Sequence, residues 1–407
     1  MRCRHCHAPS ANLIADLGVQ PPSNSYLQQS DLCKEEIFLP LQLYVCEKCF
    51  LVQIRDYTVK ENFFTPDYAY FSSTSSTWLI HTQQYVREVI TKFSLQKDSF
   101  VIEIGSNDGY LLQNFIKKQI PCLGIEPTES TARAARLLGV DTMTEFFDYK
   151  LAKKISRELG KADLVVCKNV YAHVPDVNDF TKGLEAILKN DGVVTVEFPH
   201  VLNLIHACQF DTVYHEHFSY FALGTVIEIF KKCGLRVFHA EKHETHGGSL
   251  RVYGCKIGAR YDTSSSVKQF TSEEVAAGLR KLDTYFGFEA QVNRIKLDFL
   301  EFLIQAKYQG KRVCGYGAAA KASALLNYSG VKPDLLPFVA DAAKSKIGRF
   351  LPGNRIPILA PSAMLDYEPD YVIIFPWNIA AEIKSQLLKN LRNDCTFFVA
   401  LPRMTEI

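Results

Sequence analysis

The chain has 407 residues, more than one hydrophobic core usually organises, so two or three domains are expected. Its 47% hydrophobic and 22% charged composition is that of a folded globular protein, and 46 Lys+Arg against 44 Asp+Glu leave a formal charge of +2. That balance supplies no basic face for a nucleic-acid partner.

No apolar run approaches bilayer length, and the opening Met1-Arg-Cys-Arg-His-Cys6 has no apolar signal-peptide region. The expectation is a cytoplasmic protein without a membrane partner. In that compartment the 12 cysteines point to metal ligands or buried thiols rather than disulfides.

Cys3-Arg-His-Cys6 and Cys46-Glu-Lys-Cys49 are two C-x-x-C knuckles. Four thiolates suit the tetrahedral demand of Zn²⁺ and would close its coordination shell, so Cys3, Cys6, Cys46 and Cys49 are expected to hold a structural zinc. His5 and His7 flank the first knuckle and are expected to be exposed. Cys33 is expected to be a free thiol.

From about residue 80 to 255, strand-like runs alternate with helix-like periodic segments, the pattern of a parallel α/β sheet. Strands are predicted at Phe100–Ile104, Cys122–Ile125, Leu164–Lys168 and Val193–Glu197, with helices near Leu111–Lys118 and Thr131–Leu138. After the polar stretch Tyr261–Lys268, a helical segment is predicted at roughly Glu273–Gln309. Strands then resume at Arg312–Gly315, Leu336–Ala340 and Tyr371–Phe375. The expected domains are 1–75, 76–258 and 259–407.

Val101-Ile-Glu-Ile-Gly-Ser-Asn-Asp-Gly-Tyr-Leu-Leu112 reads as strand, glycine turn and helix, but it lacks the third close glycine of the dinucleotide fingerprint. Gly105 and Gly109 would let the backbone approach a ligand. Glu103 and Asp108, with Asn107 between the glycines, would suit the ammonium of a methionyl group better than a pyrophosphate. Glu126, followed by Pro127, ends the next strand where a carboxylate accepts ribose hydroxyls. Thr144-Glu-Phe-Phe147 offers Phe146 and Phe147 to an adenine, and Asn169 follows a third strand. This order predicts an S-adenosylmethionine pocket.

Residues 169–251 are dense in His, Glu and Tyr: Asn169-Val-Tyr-Ala-His-Val-Pro-Asp176, Glu197-Phe-Pro-His200, Tyr214-His-Glu-His217 and Thr245-His-Gly-Gly-Ser-Leu-Arg251. Loops at the carboxyl ends of parallel strands rim the active sites of open α/β sheets. Carbon methylation beside a ketone needs a base for the α-proton and donors for the resulting enolate oxygen. Tyr214, Glu216 and His217 offer a phenol, an orienting carboxylate and a base. On an extended segment, Tyr214 and Glu216 would share one face and His215 and His217 the other. In the last zone, Val313-Cys-Gly-Tyr-Gly-Ala-Ala-Ala-Lys321 again joins a strand to a glycine turn, and Asp341 ends the next strand.

The knuckles, Pro66-Asp-Tyr-Ala-Tyr-Phe-Ser72, Glu103–Leu112, Ala172–Asp176, Tyr214–His217 and Thr245–Arg251 together resemble the sugar C-methyltransferase family, which includes the dTDP-sugar C-3′-methyltransferases. The resemblance covers nearly the whole chain. It implies an α/β protein with three parts: an N-terminal zinc module, a central Rossmann-like class I methyltransferase domain and a C-terminal Rossmann-like domain. The substrate it implies is a nucleotide-linked 4-keto-6-deoxy sugar methylated at C-3. His217 would then be the base, assisted by Tyr214 and Glu216, with Tyr68, Tyr70 and His173 lining the sugar pocket. Ser72, His200, His246 and Arg251 would add substrate contacts. Gly315, Gly317, Lys321 and Asp341 would hold the nucleotide. Lys168-Asn169-Val-Tyr171 departs from the family's usual Asn-Asn-Val-Leu or Ala, and altered packing is expected there.

Two other readings start from the same residues. Two glycine turns are compatible with an NAD-dependent nucleotide-sugar oxidoreductase, and zinc knuckles occur in RNA-binding modules. The separate domains allow a self-contained monomeric site.

Overall fold

The computed structural model describes every residue except 10, 58–60, 62, 65–70, 75, 390 and 392–393. Tyr68 and Tyr70 therefore lie outside the described residues.

The N-terminal segment forms β1 (Asn12–Gln20), β2 (Leu39–Val45) and β3 (Val52–Ile54), paired antiparallel. β2 alternates buried and half-buried positions along Leu41–Val45, as expected of a sheet with one face on the core.

The central sheet begins with β4 (Val101–Ile104), β5 (Cys122–Ile125), β6 (Thr142–Met143), β7 (Ala162–Lys168) and β8 (Leu188–Pro199). These five are mutually parallel. Every residue of β4 is buried, the pattern of a strand covered on both faces. β9 (Ser219–Tyr220) leaves this sheet and pairs with β3, so a segment beside Tyr214–His217 closes the N-terminal sheet. β10 (Leu235–His243) and β11 (Ser249–Lys256) return to the central sheet, whose order is β10-β11-β8-β7-β4-β5-β6. β11 runs antiparallel to both neighbours, a reversal the alternation pattern did not reveal.

The third sheet takes β12 (Val313–Tyr316), β13 (Val339–Ala340), β14 (Ile358–Leu359), β15 (Tyr371–Ile374), β16 (Thr396–Val399) and β17 (Thr405–Glu406), in the order β14-β13-β12-β15-β16-β17. The long helix predicted before it is two helices, Ser265–Ala276 and Phe288–Tyr308. The break contains Gly278 and Gly287, both at positive φ, which ends a helix readily at glycine.

Cores cross these zones. Leu17, Leu41 and Val45 of the N-terminal sheet share one apolar cluster with Phe210, Phe299 and Leu326. Cys3, Cys46 and Cys49 belong to the cluster on one face of the central sheet. Among the described residues no helix is long and apolar enough to cross a membrane.

Candidate active site and metal centre

The four knuckle sulfurs converge, all Sγ atoms lying within 4.8 Å of one another. Cys3 and Cys49 are 3.5 Å apart, as are Cys6 and Cys46. A tetrahedral Zn–S shell at about 2.3 Å places sulfurs about 3.8 Å apart, so the cage fits the ion. His5 corrects its expectation. It is 4% exposed, and its Nδ1 meets Asn178 Oδ1 at 2.8 Å, whereas His7 is exposed.

A cleft of about 960 Å³, counting its open mouth, lies at the carboxyl ends of β4, β5 and β7. Gly105, Asn107, Glu126, Pro127 and Asn169 line its floor, and Phe146 and Phe147 line one wall. The β4 turn is built from left-handed residues: Gly105 at φ +68°, Asn107 at +48° and Gly109 at +75°. Glycine adopts that region without penalty and asparagine tolerates it. A side chain at Gly105 would press on Val170 at 3.0 Å, and one at Gly109 on Val140 at 3.0 Å, so the turn seats tightly.

Glu126 receives the Asn107 N–H at 2.9 Å and the Thr128 N–H at 3.0 Å, which orient its carboxylate on the floor. Burial raises its pKa. Asn107 Oδ1 accepts from Ser72 N at 2.9 Å, which puts Ser72 on the cleft wall. Asp108 accepts from Ser73 N at 3.1 Å through one oxygen, while its other oxygen is buried without a hydrogen-bond partner, as is Asn169 Oδ1. Such unsatisfied acceptors beside a glycine-lined floor fit a ligand carrying N–H donors. Glu103 lies beneath the turn, fully buried. Burial pushes its carboxyl well above the usual range, against the pull of Lys168.

His173 lines the same cleft from the 3₁₀ turn Tyr171–His173, which Asp176 anchors by capping the next helix at Asn178 N and Asp179 N. Its Nδ1 faces the Glu216 carbonyl at 2.8 Å, which assigns the proton to Nδ1 and leaves Nε2 an acceptor. Burial drops its pKa to about 4. The His173 and His217 rings lie 4.7 Å apart.

Tyr214–His217 is a turn and not the extended segment expected. His217 N donates to the Tyr214 carbonyl at 2.9 Å, so Tyr214 and His217 come to the same side. The Tyr214 hydroxyl is 2.9 Å from His217 Nε2, and His217 Nδ1 faces the Thr212 carbonyl at 3.0 Å. Burial holds the His217 pKa well below the ordinary histidine value. His215 turns the other way, toward the carbonyls of Leu39 and Pro40 at 3.2 and 3.3 Å. Glu216 is 1% exposed and takes both its oxygens to the Asn24 side-chain amide at 2.9 Å. Asn24 belongs to the N-terminal turn Pro22–Ser25, and no spacing rule connects it with Glu216.

Several expected substrate contacts are otherwise engaged. His200 gives Nε2 to Glu274 at 2.7 Å, and Glu274 also receives the Leu223 and Gly224 N–H groups that open the helix Leu223–Lys232. Arg251 is 1% exposed, and its guanidinium is committed to Glu197 at 2.9 Å and Glu241 at 3.3 Å over the Tyr85 ring. Gly315 and Gly317 have packing reasons of their own. A side chain would meet Phe375 at 2.6 Å at the first and Pro376 at 2.3 Å at the second. Asp341 binds Ala343 N at 2.7 Å and faces Lys346 at 3.5 Å.

His246 and Lys321 lie near enough to His217 to act on it electrostatically. His246 sits at φ +55° with its ring 5.0 Å from Trp78. Lys321 reaches Asn378 at 2.8 Å and the Trp377 ring at 4.0 Å, and the Trp377 N–H binds Asp211 at 2.8 Å.

Sequence reasoning missed Trp78, Phe64 and Lys168, which also line the cleft. Lys168 pairs with Glu197 at 2.6 Å, and both are nearly inaccessible. The unusual Lys168-Asn169 pair was the signal present.

Three family models match in chain order: a zinc binding domain at residues 3–64, a methyltransferase domain at 78–240, and the C-methyltransferase C-terminal domain at 244–402. The chain is 32% identical to C-methyltransferase NovU of Streptomyces niveus over 400 residues, covering 98% of this chain and 95% of that one. A shorter likeness, 26% over 96 residues, is to the ubiquinone biosynthesis O-methyltransferase of Bordetella avium, covering 23% of this chain and 40% of the relative. Among solved structures, magnesium protoporphyrin IX methyltransferase of Synechocystis with bound SAH aligns at a TM-score of 0.36 and 15% identity, over 44% of this chain and 83% of that one.

Proposed function

This chain belongs to the S-adenosylmethionine-dependent C-methyltransferases with a structural zinc site, and on that premise we propose that it methylates C-3 of a nucleotide-linked 4-keto-6-deoxy sugar. The observation that carries this reading is the Tyr214–His217–His173 cluster, joined to the donor cleft through His173.

Glu126, Asn107, Asn169 and the Gly105 turn would hold the donor, and Phe146 and Phe147 would enclose its base. When bound, S-adenosylmethionine supplies an electrophilic methyl group. His217, neutral at physiological pH, takes the α-proton on Nε2 once the Tyr214 hydroxyl swings from that nitrogen to the substrate. The C–H electron pair becomes the enolate, whose carbon would form the new C–C bond as the donor's S–CH₃ bond pair stays on sulfur, leaving S-adenosylhomocysteine. Thr212 keeps His217 Nδ1–H oriented throughout, and Tyr214 and Lys321 supply a donor and a positive charge for the enolate oxygen. Asn24 holds Glu216, whose backbone carbonyl orients His173. A ketone is required, because only a neighbouring carbonyl acidifies the C-3 proton.

The oxidoreductase reading loses its ground in the family membership and in the glycines of the β12 turn, which face Phe375 and Pro376. The test is incubation with S-adenosylmethionine and a panel of nucleotide-linked sugars, keto and hydroxyl forms in parallel, followed by mass spectrometry. A gain of one methylene on 4-keto substrates alone supports the proposal. Methylation of the hydroxyl forms at oxygen would end it.

A further inference from the structure

Arg4 lies between two cysteines of the first knuckle, yet its side chain leaves the metal cage and is only 8% exposed. One terminal nitrogen donates to the Pro175 carbonyl at 2.9 Å and to Asp56 at 3.0 Å. The other donates to the Ile54 carbonyl at 2.9 Å and pairs with the second Asp56 oxygen. The guanidinium carbon sits 5.2 Å from the centre of the Phe218 ring.

These partners are the flanks of the two histidine loops. Pro175 closes the loop that carries His173, and Phe218 follows His217. The loops are already laced together: Phe218 N donates to Ala172 O at 2.8 Å, and Ile54 N donates to Phe218 O at 3.1 Å. The knuckle backbone docks on the same region, since Asn178 Nδ2 donates to the carbonyls of Arg4 at 3.2 Å and His5 at 2.9 Å.

We propose that Arg4 is a positioning residue for methyl transfer, a clamp anchored by the metal knuckle that fixes the His173 loop against the His217 loop. The inference rests on the reading of His217 as the base. A guanidinium is suited to the task because its planar fork holds several oxygens at set distances, which a lysine ammonium on a flexible stem does not. Displacement of a catalytic group by about 1 Å costs on the order of a hundredfold in rate. The clamp therefore acts on turnover, while the donor floor at Gly105 and Glu126 stays as it is.

The test compares the full-length wild type with Arg4→Met, Arg4→Lys and Asp56→Asn, each checked for bound zinc and thermal midpoint, with His217→Asn alongside. The readouts are kcat, KM, the affinity for S-adenosylhomocysteine by calorimetry, and donor-independent exchange of the substrate α-proton in D₂O. Arg4→Met is expected to lower kcat and α-proton exchange together by about ten- to a hundredfold. Its zinc content and S-adenosylhomocysteine affinity are expected to match wild type, and Arg4→Lys is expected to recover part of the loss. Should Arg4→Met not fold, Asp56→Asn at the half-exposed end of the fork is expected to show a milder fall in the same two rates. Wild-type kcat in the folded variants, or a loss explained wholly by lost zinc or donor affinity, overturns the clamp. If His217→Asn turns over normally, the base assignment fails and the clamp with it. If His217→Asn is inert while Arg4→Met is unimpaired, the clamp alone fails.

Discussion

The Tyr214 hydroxyl lies 2.9 Å from Nε2 of His217, with the two rings 4.0 Å apart, because a single turn returns the chain upon itself between them. His217→Asn is expected to abolish methyl transfer and α-proton exchange in D₂O. Tyr214→Phe should retain donor binding but lose about tenfold or more in kcat, within the range ascribed to one positioned proton-transfer group. Steady-state kinetics with calorimetry of S-adenosylhomocysteine binding separates the two effects, and wild-type kcat in either variant contradicts the assignment.

Acid should weaken the fold. Burial holds His173 and His246 at about 4, below the ordinary 6.5. The unfolded chain therefore takes up protons first as pH falls, and stability contributed above pH 6.5 is lost progressively toward pH 4. Denaturant midpoints across that window should decline, and His246→Gln should flatten the slope. A flat wild-type profile would count against buried neutral imidazoles.

Glu197 is the shared anion of Lys168, Arg251 and His81, at 2.6, 2.9 and 3.0 Å. Burial alone would raise its pKa, but Lys168 with His81 and Arg251 outweighs that and holds the carboxyl well below 4.5. Glu197→Gln strands the buried Lys168 ammonium and leaves Arg251 to Glu241 and Glu88, and should cost about 3–5 kcal/mol. Equilibrium denaturation near neutral pH measures this. The difference from wild type should shrink as pH falls below 4.5, where the native carboxylate loses its advantage.

His200 is expected to matter for stability and not for substrate. Its 2.7 Å bond to Glu274 supports the carboxylate that caps the helix Leu223–Lys232. His200→Ala should destabilise by about 1–3 kcal/mol, the range for a broken buried hydrogen bond, and leave KM for both substrates within twofold, roughly. A large rise in sugar KM in a stably folded variant would restore a binding role.

Removal of the metal should be felt beyond the N-terminal sheet. Cys46→Ser, or chelation, opens a cage whose thiols pack in the core of the central sheet. Loss of one zinc per chain by elemental analysis should accompany a lower thermal midpoint of the whole protein, not of a separate N-terminal transition.

The glycine turn on the cleft floor was legible in sequence because local chemistry dictates it. Gly105, Asn107 and Gly109 all require or tolerate positive φ, and Glu126 falls at the end of the next strand. The paired knuckles were legible for the same reason, since ligand spacing is local. Direction was not. Tyr214 and His217 were placed on opposite faces by an extended-chain rule, and one turn reversed the result. His200 and Arg251 belong to dense polar motifs, but their partners Glu274 and Glu197 lie 74 and 54 residues distant, and that density does not say whether a side chain faces a ligand or the interior. Asn24, 192 residues from Glu216, had no signal at all. Such pairings are decided by how the sheets meet, which periodicity does not encode.

β9 gives the three matched segments a common fate. Because Ser219 and Tyr220 complete the sheet begun by residues 12–54, the amino-terminal segment cannot be exchanged as a cassette with that of a relative without also exchanging the strand beside the Tyr214–His217 turn. Recombination at the apparent seam near residue 75 would splice a foreign edge onto Val52 and Gln53. Productive chimaeras should be those whose crossover carries residues 210–222 together with the knuckles.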